Sequence, residues 1–267
     1  MARIADAGVV DTPPPGTTTW TAIKQYMDCP KRFWYMYHAG LSERGDRSYL
    51  RFRRALYGAF IAAANLAAEG DSAKATSEIH QDLDHRFDAV GLATFGDAAV
   101  LRRNGHIIAK RFCTRLQNLP QGHRLVVRPW IQLAVGDGGT IVLQPAEIQY
   151  EGDVAVIARL HFFKPCAASH HERPDAALLY AALGLSVRVE FWYPLEDNIP
   201  CVCMLEERRP EALPPGSRKD QLSTVVKKHH DQVKTVFLQL QAEVFDPKPD
   251  DHTCGGCGFQ YTCPGLD

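Results

Sequence analysis

The sequence predicts an α/β or α+β protein, built as one domain with a helical insertion. Three observations carry this. Residues 47–119 hold helical periodicity almost throughout. Residues 123–162 change to strand-type runs separated by glycine turns. The chain then returns to helix at 174–183, to two further strands and to a last long helix. Alternation of this kind is how a sheet layered with helices is written.

The elements follow in order. Residues 1–18 read as a flexible lead containing Pro13-Pro14-Pro15-Gly16, and 19–267 as a single domain. Thr17-Thr18-Thr19 offers a helix N-cap before Trp20. Ile23, Tyr26, Met27, Phe33, Trp34 and Tyr37 recur at helical spacing, and Pro30 interrupts them. One helix is therefore expected to end near Asp28, with a turn at Cys29-Pro30 and a helical continuation. Within the helical part, about 40–120, the segments 55–68, 74–90 and 97–118 stand out. In the sheet core, about 121–210, strands are expected at 124–128, 130–135, 140–143, 153–158, 186–193 and 199–205, mainly antiparallel. Gly136-Asp137-Gly138-Gly139 and Glu151-Gly152 are the turns between them. Pro214-Pro215-Gly216 breaks the chain before a helix at 218–243, and a stiff linker at 246–251 leads into a cysteine-rich tail, the whole C-terminal part covering 217–267.

Composition narrows the classes. The chain has 267 residues, enough to bury a sizeable core. Hydrophobic residues are 45% and charged residues 23%, ordinary for a globular protein. A net charge of −1 excludes a global basic signature, so any nucleic-acid surface must be local. No apolar run is long enough for a membrane span, and the first twenty residues do not resemble a signal peptide. A reducing cytoplasm is the default expectation, and clustered cysteines there point to metal rather than to disulfides.

Eight cysteines are present. The tail reads Cys254-Gly-Gly-Cys257-Gly-Phe-Gln-Tyr-Thr-Cys263-Pro264. A C-x2-C pair lets two sulfurs reach one centre from a single tight turn, and Gly255 and Gly256 tolerate the backbone this needs. Tetrahedral metals and cubane clusters both take four thiolates. The tail supplies three, so a fourth must come from elsewhere. Cys113, Cys166, Cys201 and Cys203 compete with Cys29 for that place. Cys29 has the best local context, since it stands at a helix break and precedes proline, as Cys263 does. A zinc site on the same four ligands, or Cys29 as a plain buried thiol, are the alternatives to an iron–sulfur cluster.

Thr21-x-Ile23-x-x-Tyr26-x-x-Cys29-Pro30-x-x-Phe33-x-Tyr35, paired with Cys254-x2-Cys257-x5-Cys263-Pro264, resembles the iron–sulfur PD-(D/E)XK nucleases. These include the nuclease domains of AddB-type (AddB/RecB-like) helicase–nucleases and the CRISPR-associated exonucleases. The resemblance spans residues 19–264; its two ends are specific and its middle is not. It implies a restriction-endonuclease-like core, a mixed sheet flanked by helices. It also implies a [4Fe–4S] cluster on Cys29, Cys254, Cys257 and Cys263 that staples the chain ends together. DNA, and a helicase or a repair, recombination or defence complex, are the implied partners.

Nucleases of this family hydrolyse phosphodiesters with Mg²⁺ or Mn²⁺ held by carboxylates, and a lysine activates the water. The family order is a histidine on a helix after a glycine, an aspartate after a strand, a D/E-x-K pair on the next strand, and Q-x3-Y on a helix. Laid on this chain, Gly58 leads a good helix but the histidine place falls at Ala62. The first aspartate place falls near Glu147. The D/E-x-K place shows Arg159-Leu160-His161, and the Q-x3-Y place shows Ala176 and Tyr180. Only Glu147 and Tyr180 survive as catalytic remnants. A guanidinium cannot ligate a metal, so a degenerate nuclease is expected. An active enzyme with migrated acids, Glu151 or Asp153 beside Glu147, is the alternative.

Basic residues are unevenly placed. Arg102, Arg103, Lys110, Arg111 and Arg115 lie in a stretch without acids and are the candidate DNA-backbone contacts. Arg44, Arg47, Arg51, Arg53 and Arg54 form a second cluster, and Lys227-Lys228 with His229-His230 sit on the last helix. The competing reading for such clusters is a solvated helix face. Trp20, Trp34, Trp130 and Trp192 read as core.

Overall fold

A computed structural model describes residues 4–5, 13, 17–41, 48–136, 138–161, 174–184, 186–192, 195, 218–248, 254, 257–259 and 263. These residues form an α/β fold with two four-stranded mixed sheets flanked by helices. The N-terminal strands are β1 (Ile4–Ala5) and β2 (Thr18–Thr19). The first helices are α1 (Trp20–Asp28), α2 (Pro30–Tyr37), α3 (Ser48–Ala68), α4 (Ser72–Ala89) and α5 (Ala98–Gln117). Strands β3 (His123–Val127), β4 (Trp130–Ala134), β5 (Thr140–Leu143), β6 (Glu147–Glu151) and β7 (Val154–His161) follow. Then come α6 (Pro174–Leu183), β8 (Arg188–Trp192) and α7 (Arg218–Gln241).

The helix boundaries agree with their local chemistry. The Thr19 side chain accepts from the Ala22 backbone N–H at 3.1 Å and caps α1. Cys29 ends α1 in extended backbone, and Pro30 opens α2 at its first position, where its missing N–H costs nothing. On α3, Phe52, Ala55, Leu56, Ala59, Phe60 and Ala63 make a buried stripe at helical spacing. Ala75, Ile79, Leu83 and Phe87 do the same on α4, and Ile108, Ala109, Phe112 and Leu116 on α5. These stripes meet one another, with the Phe60 and Phe112 rings stacked at 4.0 Å.

The sheet region differs from the expected single, mainly antiparallel sheet. It is split in two. One sheet runs β3-β6-β7-β8, with the first two pairings antiparallel and β7·β8 parallel. The other runs β1-β4-β5-β2. Arg128 is where the chain leaves one for the other, at a positive φ of 50°. Its N–H donates to the Ala146 carbonyl at 2.9 Å, and Gln144 bonds both its carbonyl and its guanidinium. Those contacts hold a backbone conformation that a non-glycine residue adopts at a cost.

Residues of the expected flexible lead and its junction with the domain also take part. Ile4–Ala5 pair antiparallel with β4, and Thr18–Thr19 pair parallel with β5. The open edges of that short sheet leave backbone donors and acceptors to satisfy, and these segments do so. The strand expected at 199–205 lies outside the described residues.

The β3-β6-β7-β8 sheet separates two cores. Ile148, Tyr150, Ala158, Val189 and Phe191 pack with α1, α6, α7 and the second sheet. Leu125, Val127, Ala146 and Trp192 pack with α3, α4 and α5. Helix α6 buries Ala176 through Tyr180 without a break, as a helix covered on all sides does. Among the described residues, no helix is long and apolar enough to cross a membrane.

The helical core is tightly fitted at Gly105, where an added Cβ would lie 2.6 Å from Cζ of the buried Phe87 ring. Overpacking costs about 1–3 kcal/mol, against a gain in helix propensity of about 1 kcal/mol. Gly105→Ala is therefore expected to lower thermal and urea stability. Gly96→Ala, which meets open space, should not.

Candidate functional site

Strand pairing builds the central feature. Glu147 on β6 is the direct cross-strand partner of Arg159 on β7. Arg159 in turn is the partner of Glu190 on β8. Side chains alternate across a sheet, and the neighbours Ile148, Ala158 and Val189 face the α6 core. Glu147, Arg159 and Glu190 thus form one row on the opposite face, toward α3 and α5.

All three are buried, Glu147 to 0% exposure. Arg159 donates through Nε to Glu190 Oε2 at 2.7 Å and through Nη2 to Gln149 Oε1 at 3.2 Å. Its Nη1 lies 3.7 Å from Glu147 Oε2, an ion pair rather than a hydrogen bond. Arg115 comes down from the last turn of α5 and donates to Glu147 Oε1 at 2.8 Å. Its guanidinium lies 3.5 Å over the Trp192 ring. Arg188 closes the row from the solvent side, 2.7 Å from Glu190 Oε1. Burial pushes the Arg115 guanidinium down to about 10, with Glu147 opposing that shift. It therefore keeps its charge at neutral pH, and the buried carboxylates have cations to face.

Two carboxylates are thus shared among three guanidinium groups. A divalent cation is disfavoured here. At about 4 Å and an effective dielectric near 20, each guanidinium repels it by about 8 kcal/mol. The row is built to hold itself together or to receive an anion.

The predicted residues are distributed as follows. Glu147 and Arg159 come together. Tyr180 does not join them, because it is buried in the α6 core on the other side of the sheet. Glu151 and Asp153 sit exposed at the β6–β7 turn, with Asp153 3.7 Å from Arg124. Neither turns in beside Glu147. Arg102 is committed to Asp84 at 3.2 Å and to Asp88, and Arg115 to Glu147. The five-residue basic stretch is therefore not one surface. Its register divides it, with Arg103 and Lys110 exposed and Arg111 half-buried. Arg51 donates to the Val90 carbonyl at 2.9 Å, and Arg44 and Arg47 lie outside the described residues, as does the His161 side chain.

Sequence reasoning missed Glu190 and Gln149. Glu190 is an acid in an otherwise apolar strand, Val189-Glu190-Phe191-Trp192, and that was the available signal.

The cysteines present a second arrangement. Cys29 is buried at the α1–α2 joint. The C-terminal part returns to this joint through several contacts. Tyr26 Oη donates to the Val244 carbonyl at 2.5 Å, Phe245 stacks on Phe33 at 6.2 Å, and Phe259 packs on Tyr35 at 5.0 Å. Phe259 lies between Cys257 and Cys263 in the chain. Cys257 N donates to the Cys254 carbonyl at 3.1 Å, closing the C-x2-C turn. Cys29, Cys254, Cys257 and Cys263 are free of disulfides, so their donor chemistry suits a thiolate-bound centre. Among the described residues, however, no three Cys, His, Asp or Glu side chains are gathered closely enough to hold a metal ion. Cys113 faces the helical core, where burial pushes its thiol up. Cys166, Cys201 and Cys203 lie outside the described residues.

No protein-family model, no curated protein and no solved structure matches the chain.

Removing one member of a buried ion pair leaves an uncompensated charge, at a cost of about 3–5 kcal/mol. Glu147→Ala should lose stability on that scale in urea unfolding. The pair Glu147→Leu with Arg115→Met should recover most of the loss, because apolar groups of similar volume need no partner.

Proposed function

We propose that this chain is an iron–sulfur-cluster protein of the PD-(D/E)XK nuclease-like superfamily whose catalytic centre has become a salt-bridge row. On this reading it acts as a DNA-binding or scaffold subunit, alongside a helicase, in DNA repair, recombination or defence. The supporting observation is the cross-strand pairing of Glu147 with Arg159. The family overlay puts its aspartate and its D/E ligand at those two positions. Their direct opposition is what two ligands of one metal would need, and a guanidinium at the second position replaces the metal's charge with its own. The order of elements, with an antiparallel β3-β6-β7 set joined through α6 to a parallel β8, suits a restriction-endonuclease-like core.

Cys29, Cys254, Cys257 and Cys263 would hold the [4Fe–4S] cluster. The packing of Val244, Phe245 and Phe259 on Tyr26, Phe33 and Tyr35 supports this assignment, since those residues belong to the two helices that flank Cys29. The cluster would supply a structural cross-link. By analogy with a disulfide closing a loop of roughly 200 residues, it would stabilise the fold by about 5 kcal/mol.

Protein purified without oxygen should be brown, with iron and sulfide each at about four per chain. Cys29→Ala and Cys263→Ala should lose the colour and much of the stability. A colourless, zinc-loaded wild type would overturn the iron assignment. Single-stranded and duplex DNA should survive incubation with Mg²⁺ or Mn²⁺. Cleavage that disappears in Glu147→Gln would mean an active nuclease with rearranged ligands.

A further inference from the structure

Beside the salt-bridge row, the end of α5 and strands β3, β6 and β7 border a pocket of about 570 Å³. Arg115, Arg159 and Arg188 line it, together with His123 and Gln149. The polar groups are pre-set. Gln149 accepts from Arg159 with its carbonyl oxygen, so its amide nitrogen is the group 2.9 Å from His123 Nδ1. That assignment makes Nδ1 the acceptor and leaves Nε2–H as a donor. Arg188 is 46% exposed and is the guanidinium nearest to water. Glu190 orients both Arg159 and Arg188, and Glu147 orients Arg115.

The electrostatics decide what enters. Glu151 is the carboxylate in the pocket wall, and Glu147 and Glu190 stand behind it. Against these three acids are the three guanidinium groups of the wall. Two more, Arg53 and Arg128, lie over the Tyr57 ring beside Glu147. The last turn of α5 also borders the pocket and contributes about half a negative charge. Five cations against three acids and that half charge leave the region positive. Forked N–H donors on fixed guanidinium groups match phosphate geometry.

We propose that this pocket binds a phosphate group, either a phosphodiester of a nucleic-acid strand or the phosphate of a free nucleotide. The converted catalytic centre then holds the substrate's anion without the metal that would cleave it. This deepens the DNA-binding reading above and rests on it for the nucleic-acid source; the pocket's charge does not depend on that source.

The test uses the full chain with its cluster. Inorganic phosphate, a deoxynucleoside 5′-monophosphate, and single-stranded and duplex oligonucleotides are titrated calorimetrically at two salt concentrations. Arg188→Ala should weaken the phosphate and mononucleotide at least tenfold, with only a modest fall in melting temperature, because Glu190 keeps its bond to Arg159. For oligonucleotides it should also lower the salt slope by about one charge. Thr114→Glu, an exposed substitution on the pocket rim, should act in the same direction and serves if Arg188→Ala folds poorly. Mononucleotide binding that is sensitive to both variants, with no oligonucleotide binding, keeps the pocket and removes the DNA reading. Oligonucleotide binding indifferent to both variants but lost in Arg103→Glu/Lys110→Glu keeps the DNA reading and overturns the pocket. No binding of any probe by the wild type overturns both.

Discussion

Glu147, Arg159 and Glu190 lie side by side across three strands, and Arg115 reaches down to them from a helix. Taking any one of these charges out of water alone costs several kcal/mol. Only their mutual placement offsets that cost, and the placement is a property of strand register. A slip of one residue between β6 and β7 would turn Glu147 into the α6 core and leave Arg159 facing a methyl group. The same slip would carry Ile148 out of its apolar layer. Charge and apolar packing therefore enforce one register from opposite faces of the sheet. Helix α5 is tied to that register too, because Arg115 finds Glu147 and Trp192 only in this arrangement.

The second organising constraint is the return of the C-terminal part to the first two helices. Phe245 lies against Phe33, His38 and Tyr26, and Phe259 against Tyr35. Lys248 adds a hydrogen bond to the Met27 carbonyl at 3.2 Å. These contacts join residues more than 200 positions apart, and ordering so long a loop is entropically costly. The aromatic contacts offset part of that cost. A covalent or metal-borne link at the neighbouring cysteines would offset more of it, which is why the cysteine spacing and the aromatic packing belong to one structural problem.

Much of the helical architecture was legible in the sequence. The stripe on α3, the Thr19 cap and the break at Cys29-Pro30 all act within one or two turns, where periodicity and capping chemistry are local. The strand Glu147–Glu151 was not expected, so the position of Glu147 opposite Arg159 came only with the fold. Nor was the division of the strands into two sheets legible. It turns on the backbone of Arg128 and on which edges Ile4–Ala5 and Thr18–Thr19 complete, and neither has a local pattern. The basic stretch was misleading for a related reason. A run of cations without acids looks like a surface, yet Asp84 and Asp88 on α4 and Glu147 on β6 claim two of its members from a distance.

By itself the sequence determined which segments are helical and where the first helix breaks. Those are matters of side-chain identity and short-range spacing. The tertiary structure alone decided how the buried charges are paired. It brought Glu190 from a later strand, Gln149 from the hairpin and Arg115 from the helical part onto one face, and set Arg188 at the rim. Ion pairing between segments this far apart depends on strand register and layer packing, which exist only when the chain is folded. That the strands carry charged residues could be read from the letters; that Glu147, Arg159, Glu190 and Arg115 meet in one buried row could not.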